Sequence, residues 1–241
     1  MSLLIKKIYC YRSLPLALLL ILGEIVPLAY AENNATNISA NVALTTDYVW
    51  RGYSQTDEDP AISGGFDYTD TSGFYAGIWG SNVGFAADTD LELDIYAGFS
   101  KDLGNGINWD IGILRYIYPG TSLSGDIDWN EYHISASYGI ASASINYTND
   151  VYGTGTTAIY YTFGLEYSLP KGWTLATGIN LYDYDASLVT GSVIDYHLGI
   201  SKAFAGVGFD ISYYDTNSTA ANFYGDNIAD GRVVLSLAKE F

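Results

Sequence analysis

The 241-residue chain is poor in the residues most chemistry needs. It holds one cysteine, one methionine, two histidines and ten lysines and arginines. Cys10 precedes the apolar run near the N-terminus, so it is not a lipid-attached cysteine at a cleavage site. No cysteine follows it, which excludes disulfides, thiol nucleophiles and cysteine-ligated metals from a chain trimmed there. His133 and His197 alone leave little for a histidine metal site. The longest apolar run, Leu14 to Leu22, is broken by Pro15 and is too short to cross a bilayer as a helix. Basic residues are outnumbered by 27 acids, for a net charge of −17. Such a chain repels nucleic acid and attracts cations.

The N-terminus carries an address. Lys6, Lys7 and Arg12 form a positive front before the apolar run, and Ala29-Tyr30-Ala31 fits the small-x-small cleavage rule. Residues 1–31 are therefore expected to be a signal peptide, cut before Glu32. Its removal takes Lys6, Lys7, Arg12 and Glu24, leaving 7 basic and 26 acidic residues and a balance of −19. Residues 32–241 are enough for one barrel domain.

Tyrosine is abundant, at 23, and suits membrane interfaces, where a ring meets hydrocarbon and a hydroxyl meets water. A mean hydropathy near zero fits a wall whose two faces average out. The dominant pattern has period two. In Leu91 to Phe99 the odd positions are Leu, Leu, Ile, Ala and Phe, and the even ones are Glu92, Asp94, Tyr96 and Gly98. A charged face backed by an aliphatic face, without helix periodicity, is a wall between water and lipid. The pattern recurs from Tyr161 to Tyr167, Ile194 to Ile200 and Val207 to Tyr213. Twelve segments start near Ile38, Ala61, Phe74, Asp90, Ile107, Asp128, Ala141, Ala158, Trp173, Val193, Val207 and Gly231. Short connections such as 70–73 and 169–172 alternate with long, acidic ones such as 52–59 and 216–230. The last strand closes on Phe241, like the C-terminal assembly signal of bacterial outer-membrane barrels. The expected fold is all-β: a closed, antiparallel, up-and-down transmembrane barrel of about 12 strands, with short periplasmic turns and long outer loops. A soluble sandwich would use similar strands but not the leader, the terminal Phe or the alternating turn lengths.

One stretch is distinctive: Thr45-Thr46-Asp47-Tyr48-Val49-Trp50-Arg51-Gly52-Tyr53-Ser54-Gln55-Thr56, followed by Asp59 to Tyr68 and Gly73 to Val83. With Leu91 to Gly98 and Arg232 to Ser236, it resembles the TorF-type porin family of proteobacterial outer membranes. The resemblance implies an outer-membrane barrel acting as a pore. It supplies no substrate. The expected partners are outer-membrane lipid and lipopolysaccharide, the barrel assembly machinery and small polar solutes, with no nucleic acid and no cofactor.

By parity the inward, lumen-lining set is Asp47, Arg51, Glu92, Asp94, Asp110, Glu131, His133, Glu166, Asp195, His197, Asp210 and Arg232. Two readings stand. The set makes an acidic, cation-favouring lumen, or it is a network of buried pairs holding a narrow barrel shut. Twelve strands at about 4.8 Å spacing and a tilt of about 40° give a backbone diameter of ~24 Å, which side chains narrow or close. No catalytic site is expected. His133-Ile134-Ser135 has the spacing of an outer-membrane phospholipase pair, but its phase turns both residues inward instead of toward lipid. Asp57-Glu58-Asp59 and Asp183-Tyr184-Asp185 lack the ligand number of a calcium loop. Arg115 interrupts an apolar face and is placed at the lipopolysaccharide level. Arg51, ending the first strand, and Arg232, starting the last, are expected near one another at the outer mouth, each needing acidic partners.

Overall fold

The computed structural model describes residues 37–84, 88–121 and 127–241. The expected signal peptide and its cleavage site lie outside them, as does Asp126. Fourteen strands follow in order: β1 (Asn37–Thr45), β2 (Val49–Trp50), β3 (Tyr53–Ser54), β4 (Ala61–Thr69), β5 (Phe74–Asn82), β6 (Leu91–Asp102), β7 (Ile107–Ile117), β8 (Trp129–Tyr138), β9 (Ala141–Thr148), β10 (Ala158–Leu169), β11 (Trp173–Tyr184), β12 (Val193–Phe204), β13 (Val207–Thr216) and β14 (Arg232–Glu240). Two short helices, α1 (Ser218–Tyr224) and α2 (Asp226–Ala229), precede β14. Twelve strands, β1 and β4–β14, pair antiparallel with their sequence neighbours, and β1 pairs with β14 to close the ring. All twelve begin within one residue of the expected positions. Closure reaches the last residue: the Phe241 amide donates to the Ala40 carbonyl at 2.8 Å and the Ala40 amide to the Phe241 carbonyl at 3.2 Å. A closed ring leaves no unpaired strand edge for hydrocarbon to face.

The outward rungs are apolar. Ile62, Ile78, Ile95, Ile134, Ile179 and Ile211 are all more than half exposed, a belt that only lipid can cover. Aromatic girdles flank it. Tyr132, Tyr147, Tyr161, Tyr196 and Tyr213 stand at the long-loop end, and Tyr68, Phe99, Tyr138, Tyr167 and Trp173 at the short-turn end. Arg115 is outward near the loop end, where it pairs with Asp128 at 3.2 Å. Turn chemistry fixes the short end. Asp70 accepts from the Ser72 amide at 2.7 Å and from the Ser72 hydroxyl at 2.5 Å. Those bonds hold the Asp70 carboxyl below its ordinary range.

Inside the wall, bulky inward residues sit over glycines. Tyr75 lies over Gly98, and Tyr96 over Gly77, where an added Cβ would meet the ring carbon that bears the hydroxyl at 2.5 Å. The missing side chains leave room for rings on the neighbouring strand.

One expectation fails here. The first strand does not continue outward through Arg51. It stops at Thr45, and residues 46–56 turn back into the barrel as the β2–β3 hairpin. Arg51 and Gly52 form its two-residue turn, with φ of 49° and 85°. Positive φ at both central residues is the hairpin turn whose twist matches its strands. Gly52 is also the point of closest approach to the wall: a Cβ there would meet Asp195 Cβ at 2.5 Å and Thr216 Cγ2 at 2.6 Å. Of the expected outer loop 52–59, residues 52–56 are interior, and the exposed run is Asp57 to Pro60.

Candidate functional site: the lumen and its plug

The hairpin is seated by charge. Asp47 accepts from the Ser54 hydroxyl at 2.6 Å, the Thr56 hydroxyl at 3.0 Å and Arg232 Nη1 at 2.9 Å. Arg232 also reaches Asp230 at 2.8 Å and Glu58 at 3.6 Å, tying the hairpin base to the start of β14. At the hairpin tip, Arg51 Nη2 lies 2.7 Å from both Glu131 oxygens on β8, and both side chains are about 5% exposed. The guanidinium also lies 4.2 Å from the Trp50 ring centre, 4.1 Å from Tyr160 and 4.6 Å from Tyr182. A cation so enclosed needs its carboxylate, because removing either partner strands a buried charge. The two arginines expected to share the outer mouth serve separate carboxylates: Arg51 crosses to β8, and Arg232 braces the hairpin base.

Above this pair the loop-end half of the lumen is filled. Trp50 meets Tyr53, Tyr116, Trp129, Tyr152 and Tyr182 edge-on at centroid distances of 5.6 to 6.5 Å. Tyr116 stacks on Trp129 at 4.3 Å, and Tyr53 on Tyr224 of α1 at 3.7 Å. The hydroxyls of Tyr53, Tyr152, Tyr184 and Tyr224 form one network: Tyr53 to Tyr152 at 3.1 Å, Tyr152 to Tyr184 at 2.8 Å, with Tyr184 in close contact with Tyr224. Burial first, and then the neighbouring Tyr152 and Tyr182, pushes the Tyr224 phenol well above its ordinary range. It stays a neutral donor. Val151, Val193, Ala220 and Ala229 pack against the rings and complete this core.

The turn-end half is different. A cavity of about 590 Å³ runs from beneath Arg51 down to the Asp70–Gly73 turn. Ser135, Ser137, Ser142, Ser144, Thr162 and Thr177 make one wall of it. A second, smaller chamber of about 120 Å³ lies toward β4–β8, and Arg51 with Val49 borders both.

The inward charges lie as follows. Glu92 and Asp94 are each 2% exposed, and Glu92 accepts from the Tyr48 hydroxyl at 2.8 Å. Asp110 is in close contact with His133 Nε2 and accepts from the Tyr75 hydroxyl at 3.1 Å. Asp195 accepts from Tyr160 at 2.9 Å and Asn180 at 2.7 Å, and Asp210 from Ser212 at 2.7 Å. Glu166 and His197 border the larger cavity, Glu166 with an exposed side chain. Ser135 borders the same cavity, while His133 turns to Asp110 and Tyr75, so the phospholipase-like spacing puts neither residue on the lipid face. Among the described residues, Glu92, Asp94, Glu166, Asp195 and Asp210 form no ion pair, and no group of His, Cys, Asp or Glu is spaced to hold a metal ion.

Sequence reasoning missed the plug. It assigned tyrosine to the membrane interface, yet Tyr116, Tyr160, Tyr182 and Tyr184 occupy inward rungs. Their parity, opposite to the oily rungs of the same strands, was the available signal.

Comparison with solved structures places the fold among porins. A KdgM porin superposes with a TM-score of 0.54 at 9% identity, covering 84% of this chain and 99% of the other. A NanC porin gives 0.52 at 8% identity, covering 84% and 98%. A KdgM porin in complex with disordered oligogalacturonate gives 0.51 at 9% identity, covering 86% and 99%. At these identities the likeness is one of fold. No curated protein matches the chain by sequence. A family model does match, over residues 30–241, and the chain therefore belongs to Gcw_chp, a family of bacterial proteins of unknown function.

Proposed function

We propose that this protein is an outer-membrane channel for passive diffusion of small polar solutes, with a preference for cations. The observation that carries this reading is the serine- and threonine-walled cavity beneath the hairpin, bordered by Glu166 and Asp195, which form no ion pair among the described residues. In a low-dielectric wall such charges focus a field that favours cations. The porin-like fold and the resemblance of residues 45–83 to TorF-type porins support the same reading. In this scheme the turn end faces the periplasm and the loop end faces outward. Asp47, Arg51, Glu92, Asp94, Asp110, Glu131, His133, Glu166, Asp195, His197, Asp210 and Arg232 line or border the path. Lipopolysaccharide meets the outer girdle and Arg115. The barrel assembly machinery reads the terminal strand through Phe241, and deleting Phe241 should lower the amount of heat-modifiable protein in the outer membrane.

A second reading is favoured by the aromatic core. A barrel so filled at one end is a closed structural or surface-interaction protein, with its acidic loops as the working face. Planar-bilayer recording of the refolded mature chain separates the two. Discrete steps with a reversal potential favouring K⁺ over Cl⁻, weakening as salt rises, support the channel. Anion preference at low salt removes the cation assignment, and silence at saturating insertion supports the closed barrel.

A further inference from the structure

The 120 Å³ chamber holds a carboxylate with an unmet need. Asp94 borders it from β6, and its Oδ1 is fully enclosed and receives no hydrogen bond among the described residues. Its neighbours do not supply a charge. Glu131 is engaged by Arg51, and Glu92, two residues away on the same face, is held by the Tyr48 hydroxyl. Three carboxylates therefore confront one guanidinium. A buried oxygen without a donor is costly, so this one is either protonated or completed by a guest that brings a donor.

The rest of the lining describes the guest. Tyr48, Trp50, Trp79, Tyr96 and Tyr116 border the same chamber, and Tyr48 meets Trp79 edge-on at 5.5 Å. Ring faces attract cations, and an organic cation adds apolar contact with the rings that a bare inorganic ion lacks. A divalent metal is the poorer fit: among the described residues no acidic or histidine cluster is spaced to chelate one. An oxygen lacking a donor also argues for a cation that carries N–H, rather than a fully alkylated one. The chamber borders Arg51, and so adjoins the larger cavity that reaches the turn end.

We propose that the Asp94 chamber is a binding site for a small primary ammonium cation, its N–H groups donating to the Asp94 carboxylate and its carbon skeleton resting among the rings of Tyr48, Trp79 and Tyr116. The place of this site in transport rests on the channel reading. Binding itself does not, because it can be measured in a barrel that conducts nothing.

Titration calorimetry on the refolded mature chain in detergent micelles, with n-propylammonium chloride as probe, tests it. Propanol and KCl at matched ionic strength serve as neutral and inorganic controls. Saturable binding of propylammonium, absent for both controls, is expected. Asp94→Asn should weaken it roughly tenfold or more, since a charge-assisted hydrogen bond is lost. Asp183→Asn, an exposed acid on β11, should not change it. If Asp94→Asn fails the heat-modifiability test of folding, Trp79→Leu decides, with weaker binding expected. No saturable heat, equal binding by Asp94→Asn or Trp79→Leu, or equal binding of K⁺ would overturn the proposal. A cation-selective conductance without propylammonium binding overturns this site and leaves the channel. Binding by a protein silent in bilayers keeps the site and removes the channel.

Discussion

The two halves of the lumen are made from the same strands and the same inward rungs, yet they are filled differently. Toward the loops the inward positions are Tyr116, Trp129, Tyr160, Tyr182 and Tyr184, which pack with Trp50 into a core. Toward the turns, β8 to β11 present Ser135, Ser137, Ser142, Ser144, Thr162 and Thr177, which leave a cavity. One wall can hold both because it does not depend on its filling: backbone hydrogen bonds close the ring, and lipid covers its outside. The interior is thus free to serve as a packed stopper at one end and a vestibule at the other, with the Arg51–Glu131 pair on the boundary.

The largest expected effect comes from removing the centre of the packed half. Trp50→Ala deletes the ring that five others touch, at a cost of ~3–5 kcal/mol to the seated hairpin. The barrel should remain heat-modifiable while bilayer openings become larger and longer. Unchanged conductance would mean that the rings are not the barrier, and the contrast between the halves would lose its functional content.

Arg51→Ala comes next. It leaves Glu131 buried and unpaired, which costs ~3–5 kcal/mol. Arg51→Met together with Glu131→Leu should recover most of that stability, as read by the temperature at which heat modification sets in. If the boundary also lies on the permeation path, Arg51→Ala raises K⁺ preference; equal selectivity would confine the pair to bracing.

A smaller change is expected for Arg232→Ala. It removes the bond to Asp47, worth ~1.5–3 kcal/mol for a charge-assisted contact, and frees the hairpin base. Protease nicking at the exposed run Asp57 to Pro60 should rise in the folded protein. Equal nicking in variant and wild type would show that the tip alone seats the hairpin.

The smallest effect lies at the turn end. The Asp70 carboxyl is held below its ordinary range by Ser72, so its contribution is present above the unfolded value and fades as pH falls through the folded one. Amide exchange at Ser72 and Phe74 should speed up on acidification and in Asp70→Ala, with conductance untouched. A change in conductance would tie this turn to the vestibule more tightly than its geometry suggests.

The wall was legible in the sequence because its signal is local. Each strand states its own period of two, and Asp70-Thr71-Ser72-Gly73 or Leu169 to Gly172 states its own turn. The hairpin was not, for the same reason. Tyr48-Val49-Trp50 alternates like any strand, and nothing nearby says that Thr45 is the last wall residue. What turns the chain inward is remote: Arg232 for Asp47, Glu131 for Arg51, and a wall that comes close enough to require Gly52. Arg51-Gly52 as a two-residue turn was the local hint, masked by the apparent continuity of the strand. The inward carboxylates were legible as a set from parity. Their division into paired ones, such as Glu131, and unpaired ones, such as Asp94, depends on which strands meet, and a single sequence does not state that.

The bond between Asp47 and Arg232 joins residues 185 positions apart, one just beyond the first wall strand and one opening the last. It can form only once the seam between those strands has come together. The base of the hairpin is therefore tied only in a closed ring. Before closure the hairpin can reach its tip partner on β8 but lacks its anchor at the base. The base bond thus distinguishes a ring whose two ends have met from one that is still open.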